Sequence, residues 1–120
     1  MAKDDYYVIV YKILLYFYAV LRRKVVFNEL SFNKAISKNK IDERYLYDVI
    51  RMMKEQGYIK NVSFIKAWGN EYIMTSAISD IEITELGIEF LTQNKKMEKI
   101  KNYLIESLDI VSSLINLLKI

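Results

Sequence analysis

This chain has no cysteine, no histidine and no proline, and only 3 glycines among 120 residues. Without cysteine there is no disulfide scaffold and no thiolate metal site. That composition suits a reducing cytoplasm, the expected location. Without histidine the commonest general base and zinc ligand are also missing. The Ser-His and Cys-His nucleophile systems are therefore excluded. Three scattered glycines cannot build a phosphate-cradling loop. The acid pairs Asp4-Asp5 and Asp42-Glu43 are adjacent, so on a helix they point about 100° apart. They read as helix starts, not as a paired acid and base. A non-enzyme with no cofactor and no metal is expected. The shortage of proline and glycine favours long helices and few elaborate loops.

What is present is apolar and aromatic. The hydrophobic fraction is 52%, with 10 Tyr, 5 Phe and 1 Trp, which argues against disorder. The length suits one modest core. The net charge of +3 is unevenly placed. Residues 1–21 are neutral, residues 22–66 carry +6 and residues 67–120 carry −3. Anionic partners would be drawn to the middle segment. The run Tyr6–Leu21 is apolar apart from Lys12. It is shorter than the roughly 20 residues of a membrane span and lacks the basic start of a signal peptide. No membrane partner is expected. With Asp4-Asp5 before it and Arg22-Arg23-Lys24 after it, the run reads as a buried helix with charges that complement its dipole.

The pattern predicts a first helix from about Asp4 to Lys24 and a short extended segment at Val25-Val26-Phe27. A second helix follows, capped by Asn28 or Ser31 and reaching about Lys38, with Phe32, Ala35 and Ile36 inward. Asp42 is a good N-cap for a third helix, with Ile41 and Leu46 placed as a hydrophobic staple. Leu46, Val49, Ile50 and Met53 form its apolar stripe, and Gly57 closes it. Tyr58–Lys66 reads as a strand, Trp68-Gly69-Asn70 as a tight turn and Tyr72–Thr75 as the return strand. A small turn at Ser76–Asp80 and a short strand at Ile81–Ile83 come next. Thr84 caps a final helix expected to run almost unbroken to Leu118, with a weak point at Thr92-Gln93-Asn94. Gly87 costs that helix stability relative to alanine, which implies close approach of its backbone to the first helix or the sheet. The expected fold is α+β, a winged helix-turn-helix over residues 1–92 with a long C-terminal amphipathic helix over 93–120.

Several motifs carry a family resemblance. They are Asp4-Asp5-Tyr6 with Val8–Leu14, Gly57-Tyr58-Ile59-Lys60, Lys66-Ala67-Trp68-Gly69, and Ile83-Thr84-x-x-Gly87-Ile88-Glu89-Phe90-Leu91. Together they resemble the YjcQ family, small winged-helix proteins of Firmicute bacteria and their phages. The match covers most of the chain and thins after about Lys96. The resemblance implies a winged helix-turn-helix and a phage or prophage origin. It implies no agreed biochemical activity and transfers no site residues.

Two functions follow as expectations. The first is a DNA-binding transcriptional regulator. Its third helix would present Arg44, Tyr47 and Arg51 to the duplex, with Lys34, Lys38 and Lys40 near the backbone. Lys60, Lys66 and Trp68 would decorate the wing. Trp68 also has a commoner reading, folding back over the hairpin as packing. Asp42, Glu43 and Asp48 oppose DNA binding by Coulomb repulsion. The second is a phage-encoded protein-interaction module that binds and inhibits a host protein. The stripe Leu104, Leu108, Val111, Ile115 and Leu118 suggests a homodimer through paired helices; the alternative is that it folds back across the first helix.

Overall fold

The structure, a computed structural model, describes residues 5–120. Asp4, expected at the first helix start, lies outside the described residues. Six helices and four short strands follow one another: α1 (Asp5–Leu21), α2 (Glu29–Ile36), α3 (Glu43–Glu55), β1 (Ile59–Lys60), β2 (Phe64–Lys66), β3 (Tyr72–Met74), β4 (Glu82–Ile83), α4 (Glu85–Gln93), α5 (Lys95–Leu104) and α6 (Ile110–Leu118). This is the expected α+β winged helix-turn-helix.

The apolar run forms the axis of the molecule. Ile9, Val10, Tyr11, Ile13, Leu14, Leu15, Tyr16, Phe17 and Ala19 of α1 are all buried. A helix that is apolar on nearly every side needs neighbours on every side. Helices α2, α3, α4, α5 and α6 and strand β4 all pack on it. Residues on both sides of Thr92 belong to one hydrophobic cluster, so the division between 1–92 and 93–120 marks no break in the core. Among the described residues, no helix is long and apolar enough to cross a membrane.

Tyr11 is an exception inside this core. Its hydroxyl is buried with no hydrogen-bond partner among the described residues, and burial holds its phenol well above the ordinary value. Leaving a hydroxyl unpaired in the interior costs about 1–3 kcal/mol. Tyr11→Phe is therefore expected to raise stability by about 1 kcal/mol, read as a higher denaturant midpoint at unchanged slope. A lower midpoint would show that the hydroxyl is satisfied in solution.

Val25-Val26-Phe27 does not form the expected strand. The reason lies at Asn28. The Tyr16 hydroxyl donates to its carbonyl at 3.2 Å and accepts from its amide at 3.1 Å. A side chain thereby satisfies backbone groups that a strand partner would otherwise take. Phe27 joins a ring cluster with Tyr16, Phe17 and Phe32, at centroid distances of 5.3 to 6.1 Å. Of the two candidate caps for α2, Asn28 is the one used, accepting from the Ser31 amide.

Helix α3 is bounded as its residues dictate. The Asp42 carboxylate accepts from the Arg44 and Tyr45 amides. Beyond Glu55, Gly57 takes φ 83°. Its amide donates to the Lys54 carbonyl and that of Tyr58 to the Met53 carbonyl, the Schellman pattern. Tyr58 then stacks on Phe90 of α4, with centroids 4.4 Å apart.

The segment 58–83 is a bent hairpin. β1 pairs with β4 and β2 with β3, both antiparallel. The single strand expected over Tyr58–Lys66 is interrupted, because Asn61 turns to φ 65°. There the Ser63 amide bonds the Ser76 hydroxyl instead of a strand partner. At the tip, Trp68-Gly69-Asn70 forms one tight helical turn, with φ 75° at Gly69 and 62° at Asn70.

The C-terminal segment departs most from expectation. It is three helices, not one nearly continuous helix. The first break falls at the expected weak point, where the Asn94 side chain caps α5. The second falls at residues 105–109. Leu108 adopts φ 57°, and Asp109 caps α6 by accepting from the Val111 and Ser112 amides. Burial opposes ionisation of Asp109, but the Ser107 hydroxyl and those two amides outweigh it and hold its carboxyl below the usual range. The reversal lays both α5 and α6 on α1.

Candidate nucleic-acid interface

The helix-turn-helix comprises α2, a short turn at Lys38–Lys40 and α3. Ser37 ends α2 in the left-handed region, with φ 57°. Lys34 and Lys40 are exposed and Lys38 is half-buried. None of the three lies in an ion pair among the described residues.

The α3 arginines are arranged differently. The Arg44 Nη1 donates to Glu71 Oε1 at 2.8 Å, and its Nε lies 3.7 Å from Asp42 Oδ1. The hydrogen bond and charge of Glu71 hold its guanidinium above the ordinary value. Arg51 reaches Glu55 at 3.0 Å and Asp48 at 3.5 Å. Its guanidinium lies over the Tyr72 ring, 4.3 Å from the centroid, and its side chain is only 23% exposed. Both arginines thus tie α3 to the wing or to its own acids. Such pairs gain little in water, and Arg44, exposed, can exchange Glu71 for phosphate at small cost. Arg51 would lose two carboxylates and a ring, so its role in this fold is a strut. Tyr47 is half-buried. Burial first, then nearby Glu43, raises its phenol.

The wing follows from the strand register. Phe64 faces Met74 and Lys66 faces Tyr72, while Ile65 faces Ile73. Alternation puts Ile65 and Ile73 together on one face, and both are exposed. Lys60 lies 3.9 Å from Glu82, whereas Lys66 is exposed with no ion-pair partner among the described residues. Trp68 is 95% exposed. The folded-back reading of this indole does not hold.

A family model described as YjcQ protein matches residues 11–110. The chain belongs to the YjcQ family. No curated protein and no solved structure matches it. The YjcQ match reaches from α1 to the first residue of α6, beyond the point near Lys96 where the sequence motifs thin. The Lys66-Ala67-Trp68-Gly69 motif occupies the wing tip of this YjcQ chain.

The proposed dimer stripe is used within the chain. Leu104, Val111, Ile115 and Leu118 are buried, and α6 packs on α1 and α2. Leu108 is 91% exposed at the α5–α6 reversal. The fold-back alternative therefore describes this structure, and pairing two copies through the stripe would require α6 to leave α1. Arg22 reinforces the docking by donating to the Leu118 carbonyl at 2.8 Å.

Sequence reasoning missed Glu71 and Tyr72, the partners of Arg44 and Arg51. They lie 27 and 21 positions away, and no local pattern links residues so separated. It also passed over Lys54, exposed in the last turn of α3.

Proposed function

We propose that this protein binds duplex DNA chiefly through the phosphate backbone, as a winged-helix regulator of phage or prophage type. One observation carries the reading. Lys34, Lys38, Lys40 and Lys66 stand on the helix-turn-helix and the wing without carboxylate partners among the described residues, while Arg44 and Arg51 are engaged within the chain. Free ammonium groups neutralise phosphates and release counterions. The Arg51 guanidinium, held by two carboxylates and a ring, is poorly placed to fork onto guanine. The reading therefore favours affinity with modest sequence preference, set by shape and backbone contacts.

The test is the salt dependence of binding to a labelled duplex. Each phosphate neutralised contributes a slope of about −0.9 to log K against log salt. A slope of about −4 is expected for the four free lysines. Lys38→Ala with Lys40→Ala should flatten it by about two units. Binding insensitive to both salt and these substitutions would refute the proposal.

A second reading has one feature in its favour. The start of α3 presents Asp42, Glu43 and Asp48, and the Asp42 carboxyl is held below its usual range by the Tyr45 and Arg44 amides. An acid-fronted helix suits a basic protein surface. Failure to bind heparin or DNA at low salt would move the assignment to that protein-directed role.

A further inference from the structure

Trp68 is a large apolar side chain left in water, and the rest of the wing explains how it is presented. Gly69 and Asn70, both at positive φ, close the tip in a single turn. The Ala67 amide bonds the Glu71 carbonyl at 2.7 Å across it. Around Gly69 there is open space, with nothing within 4 Å of the position a Cβ would take. The tip is thus narrow, with one flat ring at its summit. Its base meets α3, where Arg44 pairs with Glu71 and Arg51 covers Tyr72. Lys66, free of carboxylates among the described residues, lies two positions before the ring.

Area decides what this ring suits. An indole buries about 150–250 Å², and a stable protein interface needs about 800 Å² from each partner. A lone ring on a thin hairpin falls well short of that, even with Ile65 and Ile73 behind it. One stacked base needs no more than the ring itself. The minor groove, about 6 Å wide, admits a single aromatic plane edge-on but not a broad surface. An apolar wedge beside a cation is the chemistry that unstacks a base step or fills a gap already open.

We propose that Trp68 stacks on the face of a nucleobase, so that the wing selects DNA with a locally unstacked base over a regular duplex. This rests on the DNA-binding reading above. Lys66 holds the adjoining phosphate, and the Arg44–Glu71 ion pair and the Arg51–Tyr72 ring contact join the wing base to α3. A regular duplex must open a step to admit the ring, a cost that a bulge avoids.

Trp68 is the chain's single tryptophan, so its emission reads the site directly. The full chain is titrated with an end-labelled duplex and with the same duplex carrying a two-nucleotide bulge. Label anisotropy follows binding and tryptophan emission follows stacking. Bulged DNA is expected to bind about tenfold more tightly and to quench most of the Trp68 emission. Trp68→Ala should abolish that preference, and Trp68→Phe should keep part of it. Neither change touches the core. Equal affinity for the two DNAs, or a preference that survives Trp68→Ala, overturns the inference. Binding with unchanged emission overturns the inference but leaves the DNA reading standing. No binding of either DNA overturns both.

Discussion

Gly87→Ala is expected to destabilise the protein by about 3 kcal/mol or more, and the opposite sign is what helix propensity alone predicts. Gly87 lies in the first turn of α4. In an ordinary helix, alanine there would gain about 1 kcal/mol. Here an added Cβ would stand 2.2 Å from the Tyr58 carbonyl oxygen and 2.9 Å from Ile83 Cγ1. The oxygen belongs to backbone, and it also accepts from the Thr84 amide at 3.0 Å, so it cannot swing aside. The clash strikes where α4 starts against the first strand of the wing, and relief would require parting that junction. Thr84, whose hydroxyl donates to the Gly57 carbonyl and accepts from the Gly87 amide, would be displaced with it. Chemical denaturation of the variant beside Gly69→Ala gives the comparison. Gly69 is strained by its φ of 75° but has open space, so that change should cost about 1 kcal/mol and keep the fold. A Gly87→Ala protein as stable as the parent would mean that α4 sits farther from Tyr58 than described.

A chain ending at Ser107 is expected to lose cooperative folding altogether. It lacks α6, and with it the buried Val111, Leu114, Ile115 and Leu118. Full burial of each such side chain stabilises by about 1.5–3 kcal/mol. The four together contribute about 6–12 kcal/mol, against a typical domain stability of about 5–15. Removal would also leave the α6-facing side of α1 in water. Circular dichroism with thermal melting is the readout, and the expected trace has no sharp transition. Leu108→Ala serves as the control, since Leu108 is exposed and its loss should be close to neutral. A dimerising tail gives the reverse pattern. The shortened chain would then stay folded and merely elute as a smaller species, while Leu108→Ala would weaken association.

The contrast between these two sites shows how much could be read in advance. Gly87 could be flagged from sequence, because a glycine inside a helix pattern calls for a close neighbour. Which neighbour was left between the first helix and the sheet, and the structure gives the Tyr58 carbonyl at the entrance to β1. The tail misled for a different reason. Leu104, Leu108, Val111, Ile115 and Leu118 recur at spacings of 4, 3, 4 and 3, and a single helix satisfies that rhythm. Two shorter helices joined by a reversal satisfy it almost as well. The signal for the reversal was present, since Asp109 precedes an apolar run as an N-cap does. Periodicity concealed it.

The candidate interface divides in the same way. Lys34, Lys38, Lys40 and Lys66 could be placed from sequence, because each follows from a local element and its exposed positions. The contacts of Arg44 with Glu71 and of Arg51 with Tyr72 could not, because those two partners come from the hairpin.

Short-range order followed from the residues alone. Asp42 and Thr84 can hardly do other than cap the helices they precede, Gly57 supplies the left-handed step that ends α3, and the apolar run of α1 requires a helix wrapped on all sides. Contacts within a few residues settle those matters. The side that α6 takes, the pairing of the arginines and the outward stance of Trp68 were settled only by three-dimensional packing. For α6 and for the Arg44–Glu71 and Arg51–Tyr72 contacts, the deciding groups meet across 20 residues or more. Pattern in a chain reports which surfaces must be covered, and only the folded molecule reports what covers them.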